Sequence, residues 1–204
     1  MNYIETELKL YVPDLASVTE RLETIGGQLT KPRVHEYNIR FENAEQSLAR
    51  SGIVVRLRRD AKTWLTFKSP GSVEGDGIRT RYEAEVEVSD FDTMETILGQ
   101  LGYYPYMVYE KYRTTYEFEC EAGSAEIVFD EMPYGHFMEI EGDPAAIEAV
   151  ISQLGLEHTH RYGDSYVGLF HCVRHHLQLD FHDLTFENFE GIDVPESAFQ
   201  RPET

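Results

Sequence analysis

The chain has 204 residues, which is enough for one well-packed domain and short for two. Its hydrophobic content of 41% supports a substantial core and argues against disorder. The net charge of −19 disfavours nonspecific binding to nucleic acid or to an anionic membrane, so a polyanionic ligand must meet a sheltered concentration of positive charge.

The composition also predicts a soluble cytoplasmic protein. Cys120 and Cys172 lack a metal-binding spacing and are expected to be unpaired intracellular thiols. Charged residues begin at Glu5, so no signal peptide is visible, and no apolar run approaches the roughly 20 residues that span a bilayer. We therefore expect neither a membrane nor a nucleic-acid partner, and a monomer or a homodimer.

Strands alternate with short helices along the chain. Pro13-Asp14 opens a helix that Gly26-Gly27 closes, and Asp90, Asp143-Pro144 and Ser165 open three more, with a short helical turn around Leu48. The remaining patterned segments predict eight strands, near 3–12, 34–42, 53–59, 63–69, 78–88, 107–119, 124–131 and 136–142.

Two segments have no regular pattern. The Gly-rich loop 70–77 lacks the spacing and the lysine of a phosphate-binding P-loop, and is expected to be a flexible connection or a lid. Residues 180–204 are acidic and irregular, and are expected to form a tail packed on or beside a domain of residues 1–179. The pattern predicts an α+β fold, in which eight antiparallel strands can close into a β-barrel with a charged interior and helices packed outside.

Charged residues recur at every second position of the predicted strands. Residues two apart in a β-strand share a face, so Glu5, Glu7 and Lys9 project together while Leu8 and Leu10 point into the core. The same alternation places further charges on shared faces, namely Arg56 and Arg58, Lys68, Arg79 and Arg81, Glu83, Glu85 and Glu87, Lys111 and Arg113, Asp130, and Glu139 and Glu141.

An ordinary antiparallel sheet with one solvated face explains any single strand of this kind better than a binding site does. The chain, however, has only 18 basic residues, and eight of them fall at these alternating positions. Carboxylates are the usual ligands of Mg²⁺ or Mn²⁺, and arginine binds phosphate through two parallel hydrogen bonds. Together the strands favour a site for a triphosphate and a divalent metal ion.

Seven segments in order resemble the CYTH-domain proteins, which belong to the triphosphate tunnel metalloenzymes and include class IV adenylyl cyclases, thiamine triphosphatases and inorganic triphosphatases. The resemblance spans about residues 3–170. It is carried by Glu5-x-Glu7-x-Lys9, the segment 48–58 ending in Arg56-Leu57-Arg58, Leu65-Thr66-Phe67-Lys68, Arg81-x-Glu83-x-Glu85, Lys111-x-Arg113, Asp130, and Phe137-x-Glu139-x-Glu141, with Ser165-Tyr166 opening the last helix.

The resemblance implies an eight-stranded antiparallel tunnel that holds a triphosphate-bearing small molecule and one or two Mg²⁺ or Mn²⁺ ions. By position, the implied metal ligands are Glu5, Glu7, Asp130, Glu139 and Glu141, with Glu83 or Glu85 assisting. The implied phosphate ligands are Lys9, Arg56, Arg58, Lys68, Arg81, Lys111 and Arg113, with Arg79 nearer the tunnel mouth. The candidate catalytic residues are Lys68, Glu85 and Arg40.

The segment Asn38-Ile39-Arg40-Phe41-Glu42 departs from the resemblance. Many family triphosphatases carry D-x-Y-[FY]-D there, so Arg40 stands at the usual tyrosine position. A lysine–tyrosine pair that assists proton transfer is therefore not expected. Arg40 either adds a phosphate contact or faces solvent, and the sequence favours neither.

Three functions are compatible with this pattern. In a triphosphatase, water attacks the terminal phosphorus of tripolyphosphate or of a nucleoside triphosphate. In a class IV adenylyl cyclase, the 3′-hydroxyl of ATP attacks the α-phosphorus and pyrophosphate leaves. Such cyclases often carry an aromatic lead-in before the first motif, and four residues before Glu5 give it no room, which favours the triphosphatase. A noncatalytic binder of polyphosphate or nucleotide would need an incomplete carboxylate set.

Overall fold

Nine antiparallel strands form one sheet in the computed structural model, which describes residues 3–75 and 77–201. Residues 1–2, 76 and 202–204 of the predicted domain, loop and tail lie outside the described residues. The strands are β1 (Ile4–Tyr11), β2 (Gln28–Glu42), β3 (Val54–Arg59), β4 (Thr63–Lys68), β5 (Ser72–Val73), β6 (Arg79–Val88), β7 (Tyr104–Cys120), β8 (Gly123–Met132) and β9 (Gly135–Gly142).

The sheet closes on itself. Its order is β1-β9-β8-β7-β2-β3-β4-β6, and β6 pairs again with β1, so eight strands complete a ring and the two-residue β5 lies at the side of β6. The predicted eight-stranded antiparallel tunnel is thereby confirmed. Two boundaries were wrong, because β2 begins at Gln28 and β7 at Tyr104, each several residues before the apolar alternation starts. The loop 70–77 was also expected to lack regular structure, yet it contains β5.

Five helices flank the strands, namely α1 (Leu15–Thr24), α2 (Ser47–Arg50), α3 (Phe91–Gln100), α4 (Pro144–Gln153) and α5 (Tyr166–Leu177). The side chains of Asp14, Asp90 and Ser165 accept hydrogen bonds from the first turns of α1, α3 and α5, which accounts for where these helices begin. Among the described residues, no helix has the length and apolar character needed to cross a bilayer.

The hydrophobic core lies outside the ring. Leu8 and Leu10 of β1 are fully buried in a cluster with Leu22 of α1 and Ile147 of α4. A second cluster packs α3 against the outer face of β2 and β3, and a third packs α5 and the C-terminal segment against β7 and β9. Because the apolar positions of β1, β2, β3, β7, β8 and β9 pack in these outer clusters, the charged alternate positions point into the ring.

The C-terminal segment completes the wall of the ring. Strand β8 pairs with β7 only from Tyr112 onward, which leaves the edge of β7 before that residue unpaired by the sheet. Leu184 occupies this edge in a parallel bridge with Tyr109, accepting from the backbone N–H of Glu110 and donating to the carbonyl of Val108, both at 2.9 Å. The segment thus packs on the domain as an additional piece of the wall, and a single 3₁₀ turn (Glu196–Phe199) follows.

Leu184→Ala should destabilise the fold. Leu184 has no exposed surface, so the substitution leaves a cavity and should lower the free energy of unfolding by about 2–5 kcal/mol. Leu101→Ala is the matched control, because Leu101 is 67% exposed and its loss should change stability by less than about 0.5 kcal/mol. Urea unfolding followed by circular dichroism measures both variants. Equal unfolding midpoints for the two variants would contradict the role of the C-terminal segment as part of the wall.

Candidate active site

The ring encloses a cavity of about 210 Å³ whose wall is mostly charged. Ten cations line it, against six carboxylates, so the interior is locally positive although the whole chain carries −19. The cations are Lys9, Lys31, Arg40, Arg56, Arg58, Lys68, Arg79, Arg81, Lys111 and Arg113. The carboxylates are Glu7, Glu83, Glu85, Glu126, Glu139 and Glu141. All eight basic residues predicted to bind substrate therefore belong to one cavity wall.

Three of the predicted metal ligands form a compact acidic cluster. Oxygen atoms of Glu5, Glu7 and Glu141 lie within 4.8 Å of one another. Pairing of β1 with β9 sets Glu7 opposite Glu141, and Glu5 projects from the same face of β1. Three carboxylates so close together repel one another unless a cation neutralises them, and an all-oxygen donor set suits Mg²⁺ or Mn²⁺. The residues present therefore fit the predicted metal.

The carboxylates around this cluster have strongly shifted pKa values. Burial and the neighbouring Glu5 raise the pKa of Glu141 to about 8. Burial and a hydrogen bond with Glu5 raise the pKa of Glu83 to about 7. Burial acts in the same direction on Glu5, but the charges of Lys68 and Arg81 outweigh it and lower its pKa to about 2. Without a metal ion, the group stays partly protonated near neutral pH.

Two other predicted metal ligands are bound to cations instead. Asp130 is fully buried and accepts from Arg113 Nε at 2.7 Å and from Lys111 Nζ at 3.0 Å. Glu139 accepts from Arg113 Nη2 at 2.7 Å and pairs with Lys9 Nζ at 2.9 Å. The structure thus places Glu139 in the cavity wall and buries Asp130 against the wall cations Lys111 and Arg113. Neither belongs to the acidic cluster, and their role as metal ligands stays a prediction.

Tyr166, the first residue of α5, contacts this network through both its hydroxyl and its ring. Its hydroxyl donates to Asp130 Oδ2 at 2.8 Å, and its ring face lies 4.3 Å from Lys9 Nζ. Lys9 Nζ also donates to the carbonyl oxygen of Asp164, one residue before the helix cap, at 3.3 Å. The N-terminus of α5 therefore fixes the direction of the Lys9 ammonium group.

Glu85 binds a pair of arginines. Its carboxylate accepts from Arg56 Nη2 at 3.2 Å and from Arg58 Nη2 at 3.1 Å, and also from the hydroxyl of Thr66. The neighbouring phenol of Tyr109 accepts from Arg56 Nη1 at 3.2 Å. Glu85 lies in the part of the wall built by β3, β4 and β6, so its contacts indicate an orienting role for the two guanidinium groups.

Arg40 and Arg79 line the cavity without an ion-pair partner among the described residues. Burial lowers the pKa of each guanidinium, and for Arg79 the neighbouring Arg81 adds to the effect. A buried cation without a counterion is stabilised by a bound anion. Of the two alternatives that the sequence left open for Arg40, its place in the cavity wall favours the phosphate contact over solvent.

Lys68 joins the arginine pair to the acidic cluster. Its ammonium group forms an ion pair with Glu83 and lies 3.5 Å from Glu5 Oε1. Arg81 approaches the same cluster, with Nε 2.8 Å from Glu5 Oε2 and Nη2 3.4 Å from Glu7 Oε1. These contacts place two predicted phosphate ligands directly beside the carboxylates that fit a metal ion.

Several wall residues were missed from the sequence. Lys31 lies before the predicted start of β2, and Glu126 was read only as part of an alternating strand. Tyr109 carries no charge, so charged alternation does not mark it, and Tyr166 was expected only as part of the opening of the last helix. Glu36, which lies under the basic residues of the wall, shares a strand face with Arg40, and the period of two along β2 could have found it.

Comparisons with known proteins agree with this geometry. A family model described as the CYTH domain matches residues 3–158. A provisionally named adenylate cyclase of Methanocaldococcus jannaschii is 29% identical over 140 residues, which cover 68% of this chain and 76% of that protein.

Two solved structures share the fold. A provisionally named adenylate cyclase from Vibrio parahaemolyticus matches with a TM-score of 0.66 and 19% identity, covering 82% of this chain and 97% of the other. A Hippeastrum protein, provisionally named an adenylyl cyclase and described as having a dominant triphosphatase activity, matches with a TM-score of 0.61 and 17% identity, covering 82% and 95% of the two chains. At these identities the likeness concerns the fold.

Metal affinity should rise with pH. Glu83 and Glu141, with pKa values of about 7 and 8, hold protons at pH 6 that a metal ion must displace. Affinity for Mn²⁺ should therefore increase from pH 6 to about pH 9, by about tenfold per unit where one proton is displaced, and then level off. Isothermal titration calorimetry at constant ionic strength measures this dependence.

Glu141→Gln provides the matched comparison. The amide resembles the protonated carboxyl, so parent and variant should bind Mn²⁺ within about threefold of each other at pH 6 and diverge by more than tenfold at pH 9. Glu119→Gln removes an exposed carboxylate elsewhere and should follow the parent at every pH. An affinity that does not change with pH would contradict the raised pKa values.

Proposed function

This chain belongs to the CYTH domain family, whose members are adenylyl cyclases or triphosphatases that depend on a divalent metal ion, and we propose that it is a triphosphatase. It releases the terminal phosphate of tripolyphosphate or of a nucleoside triphosphate bound in the tunnel. One observation carries the proposal: two carboxylates of the acidic cluster, Glu7 and Glu141, line the same cavity as ten cations. In a metal–triphosphate complex, the metal ion matches the carboxylate cluster and the triphosphate matches the cations.

Charge balance explains how the triphosphate enters. The carboxylates that bind the cations in the absence of substrate, such as Glu85 on Arg56 and Arg58, are partners that phosphate oxygens can replace. Arg40 and Arg79 need no displacement, since neither has an ion-pair partner among the described residues. Phosphoryl transfer depends mainly on in-line positioning and charge neutralisation, and fixed guanidinium groups supply both.

The acidic cluster supplies the rest of the chemistry. Glu5, Glu7 and Glu141 would hold the divalent ion, Mg²⁺ or Mn²⁺, which neutralises phosphate charge and lowers the pKa of water. Lys68, beside the cluster, is placed to neutralise charge on the phosphate that is attacked. In the same proposal Arg40 binds a phosphate oxygen at the other side of the cavity, and Glu85 orients the arginine pair.

The wall favours hydrolysis over cyclisation. A cyclase must also hold the ribose and the base, and ligand sites for such groups are lined predominantly by apolar and aromatic side chains. Among the residues that the structure describes, five uncharged ones line this cavity: Val54, Tyr109, Ser165, Tyr166 and Val167. The Methanocaldococcus jannaschii relative keeps the cyclase as the second candidate. A noncatalytic binder would need an incomplete carboxylate cluster, whereas this cluster brings three carboxylates together.

The proposal extends to the cell. The partner is a small molecule that bears a triphosphate, and the net charge of −19 argues against nucleic acid or an anionic membrane as a partner. We place the protein in the cytoplasm, where nucleoside triphosphates are available, as a monomer or a homodimer.

The products distinguish the two reactions. The purified protein, incubated with Mg²⁺ or Mn²⁺, should release orthophosphate from both tripolyphosphate and ATP, with ADP as the nucleotide product. Ion-exchange chromatography resolves these products. Formation of cyclic AMP and pyrophosphate in the same incubation would contradict the triphosphatase proposal and support the cyclase.

Glu7→Gln should abolish turnover. Glu7 is 5% exposed and belongs to the acidic cluster, so its neutral analogue removes one of three candidate metal ligands and should lower kcat by at least about 10²-fold. Glu119→Gln, at an exposed site away from the cavity, makes the same change of charge and should keep parent activity. Full activity in Glu7→Gln would refute the metal assignment.

A further inference from the structure

Buried polar atoms without hydrogen-bond partners are concentrated beneath the arginine pair. Within the described residues they include both side-chain atoms of Asn38, Oε2 of Glu36, and Nε of Arg56 and of Arg58. Asn38 has no exposed surface and Glu36 is 2% exposed. None of these atoms belongs to the metal cluster or to the contacts with Glu85. Nε of Arg58 lies 3.4 Å from Asp60 Oδ2, and we call the other atoms of this group the polar floor.

Strand pairing brings the polar floor together. Glu36 and Asn38 lie on the inward face of β2, two residues apart. Asn38 is opposite Arg58 of β3 on one side and Tyr109 of β7 on the other. Glu36 is opposite Lys111 of β7, and its carboxylate lies 3.5 Å from Lys111 Nζ and 3.6 Å from Arg58 Nη1. Those separations are close enough for attraction and too long for strong hydrogen bonds.

A buried amide without any hydrogen bond loses more free energy by desolvation than one ordinary hydrogen bond contributes. Native proteins satisfy such groups, and buried water is the usual partner, making about three hydrogen bonds at a polar site. The polar floor offers the complementary set that a water molecule needs: an Nε–H donor from Arg56, an amide donor from Asn38, and oxygen acceptors from Glu36 and Asn38.

We infer that the polar floor is an internal water site, and that Asn38 and Glu36 are positioning residues which hold Arg56 and Arg58 through it. The inference rests on the proposed function, because it assigns these arginines to the phosphates. Glu85 binds the terminal nitrogens of both guanidinium groups, and an arriving triphosphate competes for those nitrogens. Nε of Arg56 has no other partner, and Nη1 of Arg58 lies 3.6 Å from Glu36, so neither atom takes part in the contacts with Glu85. Floor water therefore keeps each guanidinium plane oriented while the contacts with Glu85 exchange.

Glu36 adds a fixed negative charge to this arrangement. Lys111, Arg113 and Arg58 all lie within 4.0 Å of its carboxylate. Burial raises the pKa of Glu36, but these cations outweigh it and lower the pKa to about 2. The carboxylate is therefore ionised across the working pH range and limits repulsion among the basic residues before the substrate binds.

Asn38→Leu tests the inference, because leucine has nearly the shape of asparagine and removes both polar atoms. The dissociation constant for tripolyphosphate, measured by calorimetry without added metal, should increase about tenfold, since the two guanidinium groups lose their inner partner. Asn38→Ser keeps a hydroxyl and leaves room for one more water, so its dissociation constant should stay within about threefold of the parent. An Asn38→Leu protein that binds tripolyphosphate as tightly as the parent would overturn the positioning role.

Ile39→Ala separates positioning from stability. Ile39 neighbours Asn38 on β2 but points into the outer core, where it is 5% exposed. This variant should unfold at lower urea concentration than the parent and still bind tripolyphosphate with unchanged affinity. If Ile39→Ala and Asn38→Leu lose affinity for tripolyphosphate equally, general destabilisation explains the weaker binding, and the inference is overturned.

Diffraction from crystals of the parent protein tests the water directly, even where Asn38→Leu does not fold. At least one ordered water should lie within hydrogen-bond distance of Asn38 and of Nε of Arg56 or Nη1 of Arg58. A floor without water, in which Asn38 bonds directly to the guanidinium groups, would overturn the inference. Failure of the proposed function is recognised separately, as absence of phosphate release by the parent protein, and leaves both measurements interpretable.

Discussion

Pairing of opposite charges inside a closed sheet is the interaction on which this structure depends. Helices cover much of the outer face of the ring, and the inward positions hold charged residues that are largely removed from bulk water. A buried charge without a partner is strongly destabilising, and the closed ring therefore requires carboxylates among its cations. Lys9 with Glu139 and Arg113 with Asp130 are pairs of this kind, set side by side by strand register.

The same requirement makes the interior of the ring suited to bind ions of both charges. Ten cations line the cavity against six carboxylates, and Arg40 and Arg79 have no ion-pair partner among the described residues, so the lining suits an anion. Its acidic cluster has the opposite imbalance, because the Glu5, Glu7 and Glu141 oxygens converge and the pKa of Glu141 is raised. An anion alone would correct one imbalance and a cation alone the other. A metal–triphosphate complex corrects both together, and the acidic exterior then prevents polyanions from binding elsewhere.

The sequence predicts the ring and most of its charged wall for a physical reason. Alternation has a period of two, and it reports which face a side chain occupies even without knowledge of the neighbouring strand. It does not report register, so Asp130 and Glu139 could not be separated from the acidic cluster until strand pairing set them beside Arg113. Alternation of charged residues does not mark uncharged ones, so it does not predict that Asn38 and Tyr109 contribute to the site. The early residues of β2 lack alternation because they face solvent on both sides.

The two ends of the chain contribute differently to the tunnel. The acidic cluster and the ten cations of the wall all lie within residues 3–158, the part that the family model matches. The part after residue 158 supplies Ser165, Tyr166 and Val167 to the wall, and Leu184 backs Tyr109 through its strand bridge. Three of the five uncharged wall residues therefore come from this part of the chain, and it supports a fourth, Tyr109. In the proposed function, the charged groups for the metal–triphosphate complex thus come from the strands that the family model matches, whereas most of the uncharged wall comes from the start of the C-terminal helix.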